Sequence, residues 1–94
     1  MEFEWNGAKD ATNKRKHGIG FREAAEIFRG YMLTAEDTRR DYGERRLIAL
    51  GEYNGEVIRV VFTEREGKIR IITAWKASGN DRKDYQKARA HRQV

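Results

Sequence analysis

The chain has 94 residues, the length of one small domain (1–94) with one modest core, and no apolar run approaches the ~20 residues of a membrane span. Its net charge of +5 favours polyanionic partners such as nucleic acid. With no cysteine, and with its two histidines, His17 and His91, far apart in the sequence, it offers no thiolate site and no HxxxH or HExxH pair, so neither metal nor cofactor is expected.

In chain order, EFEW alternates Phe3 and Trp5 with Glu2 and Glu4, which predicts a short strand. The stretch MEFEWNG has no basic start followed by an apolar run, so no secretory signal is read and a cytoplasmic protein is expected. Asn6 can cap a helix over Gly7 to His17, and Gly18 is a natural stop for it. Only Ala8, Ala11 and Thr12 suggest a buried side for that helix. In GFREAAEIFRG, Phe21, Ala24, Ala25 and Phe28 follow helical spacing and predict a second helix, ended by Gly30.

YMLTAED predicts a further strand. EDTRRDYGERR, residues 36 to 46, reads as a charged loop with Gly43 at its turn. RRLIALGEY, EVIRVVFTE and KIRIITAWK then predict an antiparallel meander over 45 to 76. Asn54-Gly55 and the EREGK stretch with Gly67 supply its turns. SGNDRKDYQKARAHRQV predicts a last helix, with Ser78 and Asp81 resembling a capping box and Tyr85 packing it on the sheet. The order β-α-α-β-β-β-β-α makes an α+β fold: two N-terminal helices on an antiparallel sheet, then a C-terminal helix.

Strict alternation along KIRIITAWK would point Ile69, Ile71, Thr73 and Trp75 one way and Arg70, Ile72, Ala74 and Lys76 the other. Arg70 and Lys76 then share a face, to which Arg59 or Arg65 and Arg45 or Arg46 can add. Such a basic lane suits phosphate, because the planar guanidinium grips two phosphate oxygens at once. The same arginines also read as solvated charges paired with Glu52, Glu64 or Glu66. Trp75 is either core or a stacking surface for a base, and its isoleucine neighbours favour core. Lys14, Arg15, Lys16 and His17 complement a helix C-terminus, and they equally offer an anion site. The residues alone leave both readings open.

The ordered set FEW, N..KHG..F.EAAEIF, D.R.DYGE.R.IALG, RVVFTER, IRIITAWKAS and DRKDY resembles the BrnT toxins of bacterial type II toxin–antitoxin systems, from Phe3 to about Tyr85. The resemblance implies a RelE-like fold and a metal-independent endoribonuclease that cleaves RNA and inhibits translation. It implies neutralisation by a BrnA-type antitoxin with a ribbon-helix-helix part, and contact with operator DNA only through that complex. It places His17 on the KHG motif, Arg45 on the arginine opening the IALG strand, Arg70 on IRII and Arg82 on the last helix. His17, Arg45 and Arg70 are the expected catalytic residues; Lys14, Lys16, Lys76 and Arg82 are expected to bind RNA. Trp75 stands where many relatives carry arginine. The alternatives are a non-catalytic basic binding module, or a toxin acting on a protein target.

Overall fold

In the computed structural model, which describes residues 1–92, the chain runs β1 (Glu2–Glu4), α1 (Gly7–His17), α2 (Phe21–Ala24), β2 (Leu33–Glu36), β3 (Leu47–Tyr53), β4 (Glu56–Arg65), β5 (Lys68–Lys76) and α3 (Gly79–Arg92). This is the predicted α+β order. Positions 93 and 94 of the expected last helix lie outside the described residues.

The strands form one five-stranded sheet in the order β1-β5-β4-β3-β2. The meander is antiparallel as expected, and both of its turns place two residues at positive φ: Asn54 and Gly55, then Glu66 and Gly67. That pair of left-handed residues matches the twist of the flanking strands. The expectation of an all-antiparallel sheet is corrected at one edge. There β1 runs parallel to β5, with Phe3 opposite Ile69 and Glu4 opposite Arg70. A three-residue strand carries no signal of its direction; the partner edge it meets decides that.

The second helix is shorter than its spacing predicts. After Ala24 the chain tightens into a 3-10 turn over Ala25–Arg29. This turns Ile27 inward beside Phe21 and Ala24, all three buried. Ile27 seats on Gly51 of β3, where a Cβ would come within 2.7 Å of the Ile27 Cβ, so a side chain at position 51 would push the segment off the sheet. Phe28 packs edge-on against Phe3 and Phe62, with ring centroids 5.1 and 5.0 Å away. With Ala49, Ile58, Val60, Ile71 and Ala74, these residues form the main core on one face of the sheet.

Two further expectations are corrected. Ala8 and Ala11 are exposed, and the buried residue of α1 is Asn13. Helix α1 lies along the part of β5 that β1 leaves unpaired. Asn13 bonds the β5 backbone there as a neighbouring strand would: its Nδ2 donates to the Ala74 carbonyl at 2.6 Å, and its Oδ1 accepts from the Ala74 N–H at 3.3 Å. The same Nδ2 donates to the Ile19 carbonyl at 2.8 Å. A polar side chain is buried here because all its bonding capacity toward the strand is met.

The second correction concerns β5. Val61 pairs with Thr73 but Phe62 pairs with Ile71, so Ile72 is an extra residue, a β-bulge. The alternation changes phase there. Ile69, Ile71, Ala74 and Lys76 share the helix-covered face, opposite Glu64, Phe62, Val60 and Ile58. Arg70, Thr73 and Trp75 share the other, opposite Thr63, Val61 and Arg59. Arg70 and Lys76 therefore do not share a face, and Trp75 is not in the isoleucine core.

Helix α3 covers one end of this second face. The Ser78 hydroxyl oxygen accepts the Asp81 N–H at 3.1 Å, as the capping signal predicts. Tyr85 is buried with Leu50, Val57 and Ala77, and its hydroxyl donates to the Tyr31 carbonyl at 3.3 Å. Burial and the nearby Glu52 carboxylate raise the Tyr85 phenol above its ordinary value.

Candidate functional site

Between α3 and the 37–46 loop, the second face of the sheet presents cross-strand rows. Leu50, Arg59 and Trp75 form one row, Ile48, Val61 and Thr73 the next, and Thr63 and Arg70 the last. Arg59 is held at the α3 end by Asp81, at 3.0 Å.

At the opposite end, Thr63 brings two expected residues into one neighbourhood. It sits across from Arg70, and its hydroxyl donates to the Arg45 carbonyl at 2.6 Å. Each arginine has a loose acidic neighbour. Arg70 Nη1 lies 3.8 Å from Glu4, and Arg45 Nε lies 3.6 Å from Glu36. Neither contact has hydrogen-bond length, and water reaches all four side chains, so a phosphate can displace the carboxylates at small cost.

The 37–46 loop that delivers Arg45 is built on a buried carboxylate. Arg39 donates to Asp37 through Nε and Nη2, each at 2.8 Å, and the Tyr42 hydroxyl donates to it at 3.0 Å. The Asp37 N–H donates to the Arg46 carbonyl at 2.8 Å, which closes the loop. These bonds, the Arg39 side chain first, hold the Asp37 carboxyl far below the usual carboxylate range against the opposing effect of burial. Arg46 is occupied within the loop, 4.1 Å over the Tyr42 ring and 3.1 Å from Glu44. In the spaced motif, the arginine two residues before Ile48 is Arg46, so the assignment of that motif position to Arg45 is off by one.

His17 and Lys16 come together elsewhere. They line a groove between α1 and β5 with Lys9, Thr12, Ile72 and Thr73. The His17 ring stands 5.6 Å from the Trp75 ring, tilted by 46°. Trp75 is four residues of β4 register away from Arg70, about 13 Å at ~3.3 Å per residue. The structure thus sets His17 and Arg70 at opposite ends of the open face, with the Arg45 backbone at the Arg70 end.

The remaining expected residues lie apart from both. Lys14 leans toward Asp10 at 3.8 Å, on another flank of α1. Lys76 leaves β5 on the helix-covered face and faces Glu56 at 3.4 Å, though it borders the same hollow as His17 and Trp75. Arg82 folds back on the start of α3, its Nη1 donating to the Ala77 carbonyl at 3.1 Å.

Lys9 and Asn13 carry no functional reading in the sequence, and Thr12 and Thr73 are read there only as parts of packing faces. Asparagine inside a helix was the one available signal, since it is a poor helix former that needs another reason to be there. Strict alternation puts Thr73 on the side of Ile69 and Ile71 because nothing in KIRIITAWK marks the bulge. Among the described residues no three acidic or histidine side chains converge as metal ligands, and no helix is long and apolar enough to cross a membrane.

No curated protein matches the chain. The family model for the ribonuclease toxin BrnT of type II toxin–antitoxin systems does match it, over residues 5–81. That span holds the asparagine clamp, the bulged strand and both arginines at Thr63, and the chain belongs to the BrnT family of ribonuclease toxins.

Proposed function

We propose that this toxin is a metal-independent endoribonuclease with a RelE-like mechanism, in which the RNA's own 2′-hydroxyl attacks the adjacent phosphate. The observation that carries this reading is Arg70 on the open face, held only loosely by Glu4, with the Arg45 backbone bonded to Thr63 directly across from it. The Arg70 guanidinium can grip the non-bridging oxygens of a pentacoordinate phosphate, and the long Arg45 side chain can join it on leaving Glu36, which lies on the helix-covered side with Leu47; stabilisation of developing charge is the largest single contribution there. The donor set supports a route without metal: the sequence has no cysteine, and among the described residues no three acidic or histidine side chains converge.

The attacking 2′-hydroxyl must lose a proton, and the leaving 5′-oxygen must gain one. Two side chains compete for this work. His17 stands at the far end of the lane, beside Trp75. Glu4 stands beside Arg70 itself, and as a carboxylate it can accept the 2′ proton where the charge develops. Cleavage of this kind leaves a 2′,3′-cyclic or 3′ phosphate and a free 5′ hydroxyl. In the cell it would inhibit translation. A BrnA-type antitoxin with a ribbon-helix-helix part would silence the toxin by covering the arginine end, and operator DNA would be contacted only through that complex.

The test is cleavage of RNA by the purified toxin with and without EDTA, with the ends identified. Cleavage that survives EDTA and stops with a 2′-deoxy substrate supports the reading. Ends carrying a 5′ phosphate, or a strict need for Mg²⁺, would overturn the mechanism. Absence of cleavage with retained RNA binding would favour a basic binding module, and inhibition of translation with RNA intact would favour a protein target.

A further inference from the structure

The groove between α1 and β5 holds three features that the reaction at Arg45 and Arg70 leaves unexplained. The first is charge without countercharge. Lys9, Lys16 and His17 line it, no acid does, and among the described residues none of the three makes an ion pair. The second is a polar group without a partner. Thr73 Oγ1 is shut off from solvent at the groove wall and has no hydrogen bond within the protein. Buried hydroxyls are seldom left so. The third is an aromatic face. The bulge at Ile72 turns Trp75 out of the core, and its half-buried ring meets the His17 ring at 5.6 Å. His17 borders both the groove and the hollow beside Trp75, so the two are continuous.

We propose that this groove anchors one nucleotide of single-stranded RNA, away from the bond that is cut. The base lies against Trp75 and His17, the flanking phosphates meet Lys9 and Lys16, and Thr73 Oγ1, without a partner in the protein, bonds a polar edge of the base or ribose as the groove opens. The inference rests on the ribonuclease reading and adds where the strand is held. Every base offers a π-face, so stacking tolerates sequence, and the lysines track the backbone beside it. An acidic protein segment would satisfy the lysines, but its carboxylates would give the Trp75 ring nothing to stack on. Along the strand Thr73 lies about 7 Å and Trp75 about 13 Å from Arg70, so a base on Trp75 belongs to a nucleotide next to or beyond the scissile one. It therefore governs KM and leaves kcat nearly unchanged.

The experiment measures binding of a short 2′-O-methyl RNA, which cannot supply the attacking hydroxyl, by the full chain over a series of salt concentrations. Trp75→Ala should weaken binding about 5- to 100-fold, while Trp75→Phe should keep most of it. Should Trp75→Ala fail to fold, the phenylalanine variant and the exposed lysines still decide the matter. Lys9→Gln and Lys16→Gln should each flatten the slope of log K against log salt by about 0.7, the loss of one phosphate contact to a single strand. Lysine variants that bind this RNA with the wild-type slope, or a wild type that does not bind it, would overturn the proposal. So would lysine variants that lose the antitoxin and keep RNA, which would make the groove a protein-docking site. Wild-type cleavage with an unchanged KM in the groove variants sinks the groove alone; groove-dependent binding with no cleavage sinks the ribonuclease reading alone.

Discussion

The two ends of the open face hold positive charge in different ways. At the Arg45–Arg70 end each cation has a glutamate within 4 Å, whereas at the α1–β5 end Lys9, Lys16 and His17 face no acid. A loosely paired arginine stays near its glutamate before substrate arrives and gives up only a weak contact when phosphate displaces the carboxylate. An unpaired lysine on a flexible stem gives up nothing and gains whatever anion arrives. The first arrangement suits a place where geometry matters for a transition state. The second suits capture of a strand that may arrive in many sequences.

The largest effects should fall at the arginine end. If Glu4 is the base, Glu4→Gln should lower kcat by about 10²- to 10⁴-fold, and His17→Ala should leave kcat within a few-fold. The opposite ranking would move the chemistry to the groove end and erase the contrast. Arg70→Ala and Arg45→Ala should each cost about 10²- to 10³-fold in kcat, as single donors to developing charge do. Arg46→Ala should instead lower the melting temperature, since its side chain is spent on Tyr42 and Glu44. Single-turnover cleavage beside thermal melts separates these roles.

The uneven legibility of the sequence follows the same contrast. The strands, the primed turns and the cap at Ser78 were legible because each is a local rule expressed by adjacent residues. Of the expected basic lane, Arg59 and Arg70 do share a face, but Lys76, which strict alternation set beside Arg70, leaves on the other. The groove was not legible. It depends on one inserted residue, Ile72, and the run of apolar residues around it has no polar marker to betray a change of phase. It also depends on Asn13 reaching a strand 61 positions away, which no local pattern records. The winding of α2 was lost the same way: Ile27 is decided by Gly51 across the core, not by its helical neighbours.

Asn13 gives a way to break one end and spare the other. Asn13→Ala removes the partner of the Ala74 N–H and carbonyl and of the Ile19 carbonyl. Leaving such groups unmet should cost on the order of 3 kcal/mol in all, or roughly 15 °C of melting temperature in a domain of this size. Below that melting point, amide exchange should rise first at the edge of β5 and in α1. Binding of the 2′-O-methyl RNA should fall further than the Arg70-dependent rate on bound substrate. Equal losses at both ends would show that the sheet transmits the damage and that the two ends are one site.

The converse perturbation is acid, and it acts on the loop that carries Arg45. Asp37 is protonated far less readily in the folded chain than in the unfolded one, chiefly because Arg39 donates two side-chain hydrogen bonds to it. A carboxyl with a lowered folded-state pKa contributes stability that is fully present above its unfolded value, near 3.8, and is lost only as pH falls below that toward the folded value. The loop should therefore keep its shape through mildly acidic conditions, with no step between pH 5 and pH 7 arising from this group. Asp37→Asn removes the charge that Arg39 and Tyr42 converge on. In that variant the Arg39 and Tyr42 resonances should shift at neutral pH toward what strong acid produces in the wild type. Cleavage should fall modestly, through Arg45, while groove binding of the RNA stays at its wild-type value. If the loop of the wild type instead loosened between pH 5 and pH 7, another titrating group would have to be holding it. The arginine end would then rest on less than this buried carboxylate.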